Sequence, residues 1–145
     1  MRLLIQRVTN AEVKVDGKTV SAIKNGFLIF IGIHKDDDGS QIKWLAQKVC
    51  NLRIFNDKSQ KMNLPLKDVD GEILLVSQFT LYGKLERGNR PEFMESSKPK
   101  KAEILYLSFA DELAKNGFKP KMGKFGENMK ISLLNDGPVT LILEK

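Results

Sequence analysis

The sequence predicts one α+β domain, mostly antiparallel β-sheet curled into a barrel-like core with two main helices. Three observations carry this. A chain of 145 residues has the usual length of one domain and is large enough to bury a core. Period-two alternation and turn signals dominate its first third. Only two later segments repeat apolar residues at helical spacing, which gives the order ββββ-α-β-α-ββ.

Leu3, Ile5 and Val8 open the β-rich part, and Ala11–Val15 alternates like a half-buried strand. Asp16-Gly17 turns the chain into a strand over Lys18–Ile23. Asn25-Gly26 leads into a strand over 27–33, part of the longest apolar run. The acidic stretch 36–40 offers a helix start. Ile42, Leu45, Ala46 and Val49 then fall at i, i+3, i+4 and i+7, predicting a helix over 40–51. Residues 56–71, with Pro65 and Gly71, read as irregular. Glu72–Gln78 reads as a strand. A polar loop with Gly83, Gly88 and Pro91 precedes a second helix, from Ser97-Lys98-Pro99 to Asn116-Gly117. Ala102, Leu105, Tyr106, Phe109 and Leu113 line one face of that helix. Met129–Leu134 and Val139–Leu143 flank Asn135-Asp136-Gly137-Pro138 and are expected to close the domain as a hairpin.

Composition narrows the function. No apolar run approaches the ~18 residues of a membrane span, and the start turns polar too early for a signal peptide. Cys50 is the only cysteine, so an intrachain disulfide and a Cys-rich zinc site are excluded. A cytosolic protein is expected. His34 is the only histidine and lies at a strand end, where a surface role suits it better than a nucleophilic triad. No G-x-S-x-G elbow, P-loop or dinucleotide fingerprint is present. Asp36-Asp37-Asp38 lacks EF-hand spacing and fits a helix-start acid cluster. Neither a metal nor a cofactor is expected. Net charge is +6, and residues 98–130 hold eight lysines against four acids. A solvated helix face explains this as well as a phosphate-contacting surface does. An enzyme of this composition works with backbone donors, hydroxyls and its substrate's own groups, which suits an activated ester.

Two motifs remain. Ser77–Leu81 reads SQFTL at a strand end, and Asn135–Thr140 reads NDGPVT between the last apolar runs. With QRV (Gln6–Val8), RIF (Arg53–Phe55), KMN (Lys61–Asn63) and RGNRP (Arg87–Pro91) in that order, nearly the whole chain resembles the D-aminoacyl-tRNA deacylase (D-Tyr-tRNA deacylase) family. Glu92 before Phe93, where a small polar residue is usual, and Gln60, where a glycine often precedes KMN, depart from the pattern. The resemblance implies hydrolysis of the ester joining a D-amino acid, or glycine mischarged on tRNA(Ala), to the terminal adenosine of tRNA. It implies a homodimer whose cis Gly137-Pro138 loop enters the partner's active site. The partner molecule is the aminoacylated 3′ end, and no membrane is involved. Ser77, Gln78, Phe79 and Thr80 are the implied catalytic stretch. Arg7, Met129, Asn135, Gly137 and Pro138 are implied in substrate binding and chiral selection.

Residue chemistry makes these roles sensible. An X-Pro bond adopts cis at a cost of only ~0.5–1 kcal/mol, turning the Gly137 and Pro138 carbonyls the same way to hold an α-ammonium group. Gly137 lets backbone approach the α-carbon closely, so an L side chain collides while a D side chain points outward. As a strand end, SQFTL presents Ser77 and Phe79 on one side, Gln78 and Thr80 on the other. The Phe79 N–H suits an oxyanion donor, and Ser77 and Gln78 suit orienting the adenosine. Thr80 has no evident base, which favours assistance by the adenosine 2′-OH. Arg7 is expected either to brace the Gly-Pro loop or to be an exposed strand charge. A non-enzymatic nucleic-acid-binding module is the alternative reading.

Overall fold

A computed structural model describes residues 1–86 and 88–145, so Arg87 of the RGNRP stretch lies outside the described residues. The spine is β1 (Arg2–Val15), which has partners on both edges. Its first half pairs antiparallel with β3 (Gly26–Gly32) and its second half with β2 (Lys18–Ile23). The opposite edge pairs antiparallel with β8 (Lys130–Glu144) from Arg2↔Glu144 to Lys14↔Lys130. Beyond β3 lie β6 (Glu72–Ser77) and the short β7 (Lys121–Met122), both parallel. Ser21 Oγ donates to the Met122 carbonyl at 2.9 Å and Lys121 Nζ to that of Ala22 at 2.8 Å, tying β2 to β7. The sheet thereby curls into a nearly closed barrel, and the fold class is the expected one.

Alternation decides which face each residue serves. Val8, Ala11, Val13, Leu28, Leu74 and Val76 fill the barrel interior. Leu3, Ile5, Phe27, Ile29, Ile31 and Leu75 point the other way, onto α1 (Ile42–Cys50) and α2 (Pro99–Lys115). Because β3 is buried on both faces, it reads as a continuous apolar run. Each such Leu, Ile or Phe contributes about 1.5–3 kcal/mol of transfer free energy. Helix α1 buries Leu45, Ala46 and Val49, and α2 buries Leu105, Tyr106, Phe109 and Leu113, the stripes their spacing predicted.

Three readings need correction. The last two apolar runs are not a hairpin. Both pair with β1 as one strand, and between Val8↔Asn135 and Gln6↔Thr140 the chain takes five steps on β8 against two on β1. The surplus leaves the ladder as a bulge around the cis Gly137-Pro138 bond. Asp-Gly-Pro signals departure from a strand, which a bulge and a reverse turn share. The stretch 56–71 is partly regular: β4 (Arg53–Asn56) and β5 (Met62–Pro65) form a two-stranded sheet. Gln60, in its turn, has φ +60°, where glycine is more comfortable. Strand β6 ends at Ser77, and Phe79–Tyr82 forms a 3-10 turn.

That turn sits directly on β3. The Gln78 N–H donates to the Ile31 carbonyl at 2.8 Å. A Cβ on Gly32 would lie 3.0 Å from Leu81 Cβ and 3.2 Å from both the Gln78 carbonyl and Tyr82 Cδ2. Gly32→Ala therefore forces the turn outward; a loss of about 1–3 kcal/mol is expected from overpacking, measured as a lowered urea midpoint.

Candidate active site

The end of β6 delivers Ser77 to the surface beside Ile31 of β3. The chain then tightens, with Leu81 N–H donating to the Gln78 carbonyl at 3.3 Å and Gly83 N–H to that of Thr80 at 2.9 Å. Phe79 and Thr80 open this turn, and their N–H groups make no hydrogen bond among the described residues. Strand alternation accordingly stops short of SQFTL. The Gln78 side chain donates to the Thr80 hydroxyl, and the Phe79 ring is 58% exposed, edge-on to Phe93 at 5.1 Å.

Two clefts meet at this turn. One, of about 380 Å³, is mainly apolar and runs from Ser77, Gln78 and Phe79 to Phe93, Tyr106 and Phe125. The other, of about 320 Å³, shares Ser77, Gln78, Phe79 and Gly126 and continues along Glu127, Asn128, Met129 and Ile131. Ser77, Gln78, Phe79 and Met129 are thus together, with Thr80 next to Gln78.

Arg7, Asn135, Gly137 and Pro138 form a separate locus. Arg7 is 3% exposed, so the exposed-charge reading does not hold. Its Nε donates to the Asp136 carbonyl at 3.1 Å and meets Asp136 Oδ2 at 2.8 Å. Nη2 donates to the Gly137 carbonyl at 3.3 Å and Nη1 to that of Ile54 at 2.5 Å. Asn135 Nδ2 bridges the base of the bulge, donating to the carbonyls of Arg7 at 3.0 Å and Val139 at 3.1 Å. Gly137 and Pro138 are exposed. A Cβ on Gly137 would meet nothing closer than Asn135 Oδ1 at 3.6 Å, and its φ is not positive. The fold itself does not require glycine there.

Within one chain the loci stand apart. Arg7 is level with Phe27 on β3 and Ser77 with Ile31, about 13 Å further along at ~3.3 Å per residue. Strands β1 and β3 lie between them, and no hydrogen bond among the described residues joins them.

Other reactive groups are accounted for. His34 Nε2 lies 3.1 Å from Glu95 Oε2, beside Tyr82. Lys35, donating at 2.9 Å, and then His34 hold the Glu95 carboxyl down at about 2. Burial pushes the Cys50 thiol up to about 11, consistent with packing. Among the described residues no cluster of three His, Cys, Asp or Glu is placed to hold a metal, and no helix is long and apolar enough to cross a membrane. Sequence reasoning missed Phe93, Ser96, Phe125 and Gly126. They come from loops with no periodic pattern, and only Phe93, next to RGNRP, carried any signal.

Residues 4–144 match the model of the family described as D-Tyr-tRNA(Tyr) deacylase. A D-aminoacyl-tRNA deacylase of Thermosipho africanus (strain TCF52B) is 52% identical over 144 residues, covering 99% of this chain and 97% of that protein. One from Fusobacterium nucleatum subsp. nucleatum is 50% identical, covering 99% and 95%. Among solved structures, the c-Myc DNA Unwinding Element Binding Protein superposes with TM-score 0.92 at 40% identity, covering 100% of this chain and 99% of that one. A probable eukaryotic D-amino acid tRNA deacylase shares the fold, with TM-score 0.82 at 17% identity over 98% and 97%.

Arg7 is the buried brace of the bulge. Arg7→Ala strands three carbonyls and the Asp136 carboxylate, and a loss of about 2–4 kcal/mol is expected. The check is thermal melting, with a midpoint drop of roughly 5–15 °C for a chain of this size.

Proposed function

The chain belongs to the D-Tyr-tRNA(Tyr) deacylase family, and on that premise we propose that it hydrolyses the ester of D-aminoacyl-tRNA, releasing the D-amino acid and tRNA. The observation that carries this reading is the meeting of two clefts at Ser77–Phe79. An aminoacyl ester has two lobes joined at one carbonyl. The mainly apolar cleft suits the terminal adenosine, oriented by Ser77 and Gln78, and the cleft along Met129 suits the acyl part. The free N–H groups of Phe79 and Thr80 open where the two meet, as donors to a developing oxyanion should.

Water or the leaving oxygen still needs a proton carrier. The only hydrogen-bond partner of the Thr80 hydroxyl among the described residues is the Gln78 amide, which cannot act as a base. The adenosine 2′-OH, adjacent to the ester, fills that role, with the protein supplying position.

Chiral selection falls to Gly137-Pro138. The bulge is exposed, braced by Arg7, and distant from its own Ser77–Thr80 turn. It therefore serves the cleft of a second copy in a homodimer, where its backbone excludes an L side chain and tolerates a D side chain. Glycine has no side chain to collide, so glycyl-tRNA(Ala) passes too. Arg7 takes one lone pair of the Gly137 carbonyl; the other remains for the substrate's α-ammonium. A tRNA substrate puts this work in the cytoplasm. A second reading, a DNA- or RNA-binding module without catalysis, is favoured by the name of the 40%-identical structural neighbour and by the +6 charge.

Incubation with D-Tyr-tRNA and L-Tyr-tRNA separates the two: release from the D form alone is expected, and salt-sensitive binding with no release would support the module. Gly137→Ala should leave the melting point within about 2 °C yet lower D-tyrosine release at least about tenfold, because the intruding methyl displaces the substrate. Thr80→Ala should lose far less than the ~10²–10⁴-fold that removal of a general base costs. A tRNA ending in 2′-deoxyadenosine should resist the wild-type protein.

A further inference from the structure

Residues 93–97 form a strap over the mouth of the apolar cleft, and the end of β3 holds it down. Lys35 N–H donates to the Glu95 carbonyl and Ser97 N–H to the Ile33 carbonyl, both at 2.9 Å. The Glu95 carboxylate sits between Lys35 Nζ at 2.9 Å and His34 Nε2 at 3.1 Å, with Lys84 Nζ at 4.0 Å. The strap makes one polar contact with the Ser77–Thr80 turn: Ser96 Oγ donates to the Phe79 carbonyl at 2.8 Å. The Phe93 ring packs on the Phe79 ring beside it.

The carbonyl that Ser96 holds belongs to the peptide whose nitrogen is Thr80. Among the described residues the only cis bond is Gly137-Pro138, so this peptide is trans, and its C=O and N–H lie in one plane pointing opposite ways. Fixing the oxygen toward the strap fixes the Thr80 N–H away from it. Phe93, Ser96 and Ser97 line only the apolar cleft, whereas Phe79 lines both, so away from the strap is the side of the second cleft.

We infer that Ser96 is a positioning residue for the ester hydrolysis: its hydroxyl, carried on the Glu95-anchored strap, aims the Thr80 N–H at the junction of the two clefts. This rests on the reading under Proposed function. Without that bond the peptide is held only by its own 3-10 turn and can rock about the Phe79 and Thr80 torsions, and a donor is effective only when already aimed. The one hydrogen bond given for the Ser96 hydroxyl among the described residues is to the Phe79 carbonyl, so its loss should act chiefly on the chemical step and only slightly on binding in the cleft that Ser96 helps to line.

The experiment compares the wild type, Ser96→Ala and Ser96→Thr by single-turnover hydrolysis of D-Tyr-tRNA over a range of enzyme concentrations. Ser96→Ala should lower the maximal rate about tenfold, less than loss of a whole oxyanion donor, with half-saturation within about twofold and melting unchanged. Ser96→Thr, which keeps the hydroxyl, should restore the rate. An unchanged maximal rate in Ser96→Ala, or a change in half-saturation alone, overturns the inference. If the wild type itself releases no D-tyrosine, the deacylase reading fails first. The Thr80 amide resonance then decides Ser96 by itself: a chemical-shift change or broadening in Ser96→Ala supports it, and an unaltered amide overturns it.

Discussion

Both edges of β1 are occupied, and much of the molecule follows from that. With β3 and then β2 along one edge, the other is left for β8 over its whole length. Strand β8 has more residues than the ladder can use, so the surplus between Asn135 and Thr140 must leave it. An expelled segment with unpaired backbone is costly unless its polar groups find partners. Arg7, central in β1, and Asn135 supply them, and the result is a defined backbone projection where a floppy loop would otherwise stand. Arg7 is thus a core residue by burial and, on the proposed reading, a site residue by consequence.

The Ser77–Thr80 turn is held by packing of a different kind. Gly32 removes the one side chain that would keep the turn off β3, and the Gln78–Ile31 bond fixes its entry. Two open N–H groups result, at the rim of two clefts. The projection and the turn are rigid for separate reasons and are separated by two strands. A site that uses both has to be assembled from two copies, and a twofold dimer does this twice. The geometry of one chain therefore supports the homodimer on the proposed reading better than any patch of exposed apolar surface does.

How much of this was legible in the sequence depended on periodicity. Helices α1 and α2 and strands β1 and β3 carry patterns that their burial confirms, because each commits at least one face to a core. The β4–β5 pair was missed because four-residue strands around Pro65 hold too few periods to count. The closing hairpin was misread because turn residues report that a chain leaves a strand, not where it returns. At the site, SQFTL and NDGPVT were visible as motifs, yet their distance within one chain was not, since register is a tertiary property. Ser96 and Glu95 carried no signal: a serine and a glutamate in a polar loop look the same whether or not they grip a neighbouring carbonyl.

A proofreader of handedness faces an unusual demand. It must accept side chains from the smallest to the largest on one hand and reject all of them on the other. Attractive pockets cannot do this, because one methylene is worth only ~1–3 kcal/mol and every pocket prefers some size. Rejection by overlap with backbone is indifferent to what lies beyond the β-carbon, since every L residue except glycine presents that atom in the same place. Such a wall must not yield, must carry no side chain of its own at the point of contact, and must be fixed from behind. A Cβ on Gly137 would make only an ordinary contact, 3.6 Å from Asn135 Oδ1, and the Arg7 guanidinium lies behind it. On the proposed reading, those requirements account for a glycine at a position with no steric need for one, and for a buried arginine that holds three main-chain carbonyls rather than a substrate.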